Sequence, residues 1–147
     1  MKYLLIVSLF LFVGLAQATT PTAAQPQNLA APEARELMER EQLTVIDIRT
    51  PREWRQTGVA KGVLRINMLH PDGPRGFLDE VLRSVDGDRN APIGLICRTG
   101  NRTTQVQRFL QAQGFTQVYN IREGMAGSGA GPGWLRRGLP TEPCRQC

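Results

Sequence analysis

The residues of this chain best suited to chemistry are Cys97 and the six that follow it, Arg98-Thr99-Gly100-Asn101-Arg102-Thr103. A thiol is a strong nucleophile as its thiolate, and positive surroundings favour that form. Arg98 and Arg102 supply formal charge. Gly100 lets the backbone turn N–H groups inward, because it adopts positive φ without a Cβ clash. A helix beginning at Asn101 would add its positive end to the same field. Such a cradle would bind the oxyanion of a small donor and stabilise charge on sulfur. A cysteine met alone is more often an inert buried thiol; its loop sets Cys97 apart.

The other reactive side chains fit competing chemistries less well. His70 is the sole histidine and lies in His-Pro-Asp-Gly-Pro-Arg-Gly, turn chemistry that belongs on the surface. A cysteine hydrolase would need it as the base. Cys144 and Cys147 close the sequence as Cys-Arg-Gln-Cys. They make half of a tetrahedral zinc site, with no second pair, so no metal is expected. Nothing in the chain calls for a cofactor. With three cysteines, at least one thiol lacks an intramolecular partner. The tail pair either forms its own disulfide, or one of its thiols reaches Cys97 to receive its sulfur or protect it.

Elements must place Cys97 at the carboxyl edge of a sheet, where open α/β folds bind ligands. Ile93-Gly94-Leu95-Ile96 is a short apolar run that ends at Cys97 and reads as a central strand. From Asn101 to Gln113, Val106, Phe109 and Leu110 fall at helical spacing, and Gly114 supplies the stop. Thr44 to Ile48, Val63 to Ile66 and Val118-Tyr119 read as further strands. Helices are expected from Pro32 to about Glu41 and around Phe77, Leu78, Val81 and Leu82. Thr50-Pro51-Arg52-Glu53 matches a capping box with proline in the first turn, opening a short helix that carries Trp54. Trp54 and Trp134 read as core anchors. Strands alternating with helices predict an α/β fold with a parallel sheet covered on both faces.

The chain of 147 residues has room for one compact domain. Lys2 is followed by an apolar run from Leu4 to Leu15 and then Ala16-Gln17-Ala18, the pattern of a cleaved export signal over residues 1–18. The run falls short of the about 20 residues a spanning helix needs. A periplasmic or secreted protein without stable membrane association is therefore expected. Residues 19–31 read as a flexible linker, 32–142 as the domain and 143–147 as a Cys-x-x-Cys tail. The formal net charge is +5, mostly scattered arginine, which argues against a nucleic-acid footprint while favouring small anions.

Cys97-Arg98-Thr99-Gly100-Asn101-Arg102 resembles the active-site loop of rhodanese-domain proteins. Val45 to Trp54 is similar to that family's first block, an aspartate and arginine on a strand followed by a Glu-aromatic helix. Gly58 to Ile66 and Gly138-Leu139-Pro140 fit later blocks, so the resemblance spans Pro32 to Glu142. It implies a doubly wound α/β domain and a sulfurtransferase. Cys97 would take the outer sulfur of a thiosulfate-like anion as a persulfide and pass it to a thiol or cyanide. A redox protein is a further candidate partner. Backbone amides from Arg98 to Thr103 would hold the anion, with Arg98 at the pocket mouth. Asp47, Arg49 and Glu53 would support the loop. Arg102 either joins the cradle or braces the loop through Asp47 or Glu53.

The related phosphatases of this fold separate cysteine and arginine by five residues. Here four intervene, a ring suited to sulfur rather than phosphate or arsenate. A catalytically idle docking module is the other class to separate. The chain departs from the family in having Val59-Ala60-Lys61 where His-Ile-Pro is usual. It has Glu123-Gly124 for a paired glycine, and a longer glycine-rich stretch before Trp134. These changes place substrate shape, rather than the chemistry, in question.

Overall fold

The computed structural model describes residues 27–147. The stretch expected to be an export signal, residues 1–18, and residues 19–26 of the expected linker lie outside the described residues. Strands β1 (Asn28–Leu29), β2 (Thr44–Asp47), β4 (Leu64–Arg65), β5 (Ile93–Ile96) and β6 (Val118–Ile121) form one parallel sheet in the order β1-β6-β5-β2-β4. The helices are α1 (Ala31–Glu39), α2 (Pro51–Thr57), α3 (Gly73–Ser84), α4 (Asn101–Ala112) and α5 (Gly133–Arg136). Strands β3 (Val59–Ala60) and β7 (Thr141–Glu142) pair antiparallel as a separate ribbon.

The two central strands explain this arrangement. β5 is buried at every residue, as a strand covered on both faces must be. Its side chains alternate. Ile93 and Leu95 enter a cluster with Ile46, Ile48, Phe77, Val81, Val106 and Leu110, beneath α3 and α4. Ile96 enters the opposite cluster with Val45, Ala34, Trp54 and Trp134, on the side of α1, α2 and α5. Burying one such aliphatic side chain contributes about 1.5–3 kcal/mol. This is the parallel sheet covered on both faces that the alternation of elements implied, and the doubly wound domain that the family resemblance implied. Trp54 and Trp134 are core residues, 6% and 1% exposed.

Three short elements correct the sequence reading. Asn28–Leu29, within the stretch assigned to the linker, is the edge strand beside β6. The carbonyl of Gln27 accepts hydrogen bonds from the Asn120 amide (2.8 Å) and Gln107 Nε2 (3.0 Å). The first helix starts at Ala31 and ends at Glu39. A two-residue strand shows no apolar period; its partner creates it. The same holds for β3 and β7, which bring the end of the chain back against α2.

Candidate active site

Cys97 immediately follows β5 and is 1% exposed. Its sulfur lies at the amino end of α4: the Gly100 amide donates to Sγ at 3.2 Å, and Thr103 Oγ1 is 3.7 Å away. Thr103 and Thr104 both donate to the Gly100 carbonyl, at 2.8 and 3.0 Å, fastening the turn to the first turn of the helix. The first N–H groups of a helix have no intrahelical acceptor, so this end of α4 presents donors and positive potential to the sulfur. Arg98 and Asn101 are exposed and Thr99 half-buried, forming the rim.

Two glycines make the loop shape possible. Gly100 has φ +84°, and a Cβ there would run into the Arg122 carbonyl. Gly124, at φ +64°, passes so close that a Cβ would sit 2.5 Å from the Arg98 carbonyl oxygen. The loop is thereby zipped to the segment after β6. Met125 N donates to the Cys97 carbonyl (2.8 Å) and Ala126 N to that of Arg98 (2.9 Å). The glycine-rich stretch thus borders the site as a hydrogen-bonded wall, closed further on by the Ser128–Gly131 bridge.

Glu123 anchors that wall and was not singled out from sequence as a site residue. Its buried carboxylate accepts from Ala31 N (2.6 Å), Gly133 N (2.8 Å) and Arg137 Nε (2.8 Å). Burial pushes this carboxyl up, but Arg137 and the two amides more than offset it and hold it below the usual range. The signal in sequence was its place where a second glycine was expected.

The supporting residues divide into two pairs. Arg49, 1% exposed, takes Asp47 with Nε and Nη2 at 2.7–2.9 Å, and reaches Thr57 Oγ1 (2.7 Å) and the Gly58 carbonyl (2.8 Å). It therefore clamps the far end of α2 to the end of β2. Arg102 forms a two-pronged pair with Glu53, at 2.8 and 2.5 Å, rather than with Asp47, which Arg49 already occupies. Glu53 is also the capping-box residue of α2: its Oε2 accepts from Thr50 N and Thr50 Oγ1, each at 3.0 Å. The cap thus fixes the carboxylate that braces the loop. Arg102 beside it holds the Glu53 carboxyl down at about 2. In return, Glu53 keeps the guanidinium more firmly protonated, and the neighbouring Cys97 sulfur adds to that effect.

The remaining candidates lie elsewhere. His70 Nδ1 accepts from Asp72 N (3.1 Å), and its other nitrogen lies 3.5 Å from Glu80. Cys144 and Cys147 are joined as a disulfide, while Cys97 is free. Cys144 packs in the cluster opposite to that of Cys97, so the sheet separates the two sulfur sites. A cleft of about 630 Å³ lined by Met38, Leu43, Lys61, Leu64 and Trp134 opens near the amino end of β2, remote from the thiol. An apolar crevice of about 170 Å³ between Met68, Phe77, Val106 and Phe109 adjoins the Cys97 cluster.

The family model described as Rhodanese-like domain matches residues 30–129. A thiosulfate sulfurtransferase, GlpE, of Actinobacillus pleuropneumoniae is 33% identical over 110 residues, covering 75% of this chain and 87% of that protein. A crystal structure from M. tuberculosis superimposes with a TM-score of 0.64 at 26% identity, over 82% of this chain and 100% of the other. The solution structure of a polysulfide-sulfur transferase homodimer from Wolinella succinogenes gives 0.60 at 27% identity, over 82% and 80%.

Proposed function

The chain belongs to the rhodanese-like domain family, and from that premise we propose that it carries a sulfane sulfur on Cys97, from a thiosulfate-like anion to a thiol or cyanide. The observation that carries this reading is the placement of Cys97 Sγ against the Gly100 amide at the amino end of α4. The loop around it is closed by Arg102 on Glu53.

In the first half-reaction the Cys97 thiolate attacks the outer sulfur of the donor. The donor's S–S bond breaks, and the oxyanion, sulfite in the case of thiosulfate, leaves with the electron pair. The helix end and Gly100 N–H stabilise the negative charge left on the persulfide. In the second, an acceptor thiolate or cyanide attacks the outer sulfur and regenerates the Cys97 thiolate. Exposed Arg98 draws the anion to the rim. The burial of Cys97 favours a slim donor whose terminal sulfur can enter the turn. With the export signal read from residues 1–18, the setting is the periplasm or the exterior.

Intact mass spectrometry after thiosulfate treatment tests this. A gain of one sulfur is expected, lost on cyanide addition and absent in Cys97→Ser. A folded protein that gains no sulfur would instead favour the docking-module reading.

A further inference from the structure

The tail pair is a second sulfur site, built differently from the first. β7 pairs with β3 and brings the tail over the edge strand β4, where Arg65 Nη1 faces both Cys144 Sγ and Cys147 Sγ. Arg55 of α2 donates to the Cys147 carbonyl. The two sulfurs differ in access: Cys144 is 6% exposed and sits in the core cluster, whereas Cys147 is half-buried at its margin. Arg145 lies between them and Glu142 two residues before, so the nearby formal charge is predominantly positive. A disulfide meant solely to staple the tail has no need of a guanidinium on its sulfurs. One that opens does, because the departing sulfur leaves as an anion.

We propose that Cys144–Cys147 is a redox-active disulfide that exchanges with a dithiol partner, with Cys147 the sulfur attacked and Cys144 the leaving thiolate. A partner thiolate attacks Cys147 Sγ, a mixed disulfide forms, and the Cys144–Cys147 bond breaks. Its electron pair stays on Cys144, where Arg65 holds it. The partner's second thiolate then attacks its own first sulfur and releases Cys147, which takes a proton from solvent. The partner ends as a disulfide and two electrons rest on the tail pair. Because the sheet separates this site from Cys97, it works as an independent site, whether or not Cys97 transfers sulfur.

The test uses the full chain carrying Cys97→Ser, so that the tail thiols alone report. The folded protein is equilibrated across ratios of reduced to oxidised dithiothreitol, quenched with acid, alkylated and weighed. Reduction in the folded state is expected. Arg65→Met should raise the ratio needed for half-reduction by about threefold to tenfold, with Arg65→Lys between. Equal midpoints in all three proteins, or reduction that requires denaturant, would overturn the proposal. Capture rates provide a measurement independent of the arginine variants. With reduced glutathione added to the oxidised Cys97→Ser protein and rapid acid quenching, the mixed disulfide should form on Cys147 at least tenfold faster than on Cys144. Equal or reversed rates would refute the assigned direction of attack.

Discussion

The Asp47–Arg49 and Glu53–Arg102 pairs use the same chemical groups for different ends. The first joins residues two apart and is sealed, with side chains 0% and 2% exposed. The second joins residues far apart in sequence and stays open to water, at 21% and 30%. Arg49 holds the end of α2, and Glu53 projects from its first turn to the Cys97 loop. One pair fixes the frame; the other transmits that frame to the sulfur. Burial sets the consequence of breaking each. Removing one partner of a sealed pair strands a charge that water cannot reach, whereas an open pair loses its attraction but keeps its hydration.

The largest effect should come from Asp47→Ala, which leaves Arg49 buried without its counter-ion. About 3–5 kcal/mol of unfolding free energy should be lost, read by denaturant titration. A loss no greater than that of Glu53→Gln would erase the distinction between the pairs. Next come Arg102→Met and Glu53→Gln, the latter keeping the cap of α2 because glutamine also serves in a capping box. Each should cost about 1–2 kcal/mol of stability, since the pair is partly hydrated. Each should also slow persulfide formation about tenfold, as some 1.4 kcal/mol of lost positioning would give. The double variant should be little worse than either single one.

The smallest effect is in acid. The Glu53 carboxyl is lowered from 4.5 to about 2, so its contribution is complete above pH 4.5 and disappears as the pH falls through about 2. Thermal midpoints of the native protein should therefore fall more steeply between those values than those of Glu53→Gln. Parallel curves would mean that the pair adds nothing to stability.

Much of the site was legible because its signals are local. The Ile93–Ile96 strand, the glycine turn and the helix from Asn101 follow one another without interruption, and the observed elements share those starts. The capping box at Thr50 was also readable, being a four-residue pattern. Which carboxylate Arg102 would meet was not. Asp47 and Glu53 both lie in the same block, and the choice depends on Arg49 having taken Asp47. The role of Glu123 was hidden for a related reason: its partners include an amide 92 positions away. The edge strand at Asn28 was hidden because a two-residue strand carries no pattern of its own.

That reach of Glu123 bears on the order in which the chain gains its structure. A bond between Ala31 and Glu123 closes a loop spanning most of the domain, a cost in entropy met once the intervening sheet has collapsed. The latch therefore belongs to the late steps of folding and to the early steps of opening. Because the same carboxylate steadies the segment against which Cys97 and Arg98 lie, fraying of the first strand would slacken the Cys97 turn as well. Amide hydrogen exchange at Ala31, Met125 and Ala126 should then proceed as one unit, which couples the upkeep of the thiol to the most peripheral strand of the sheet.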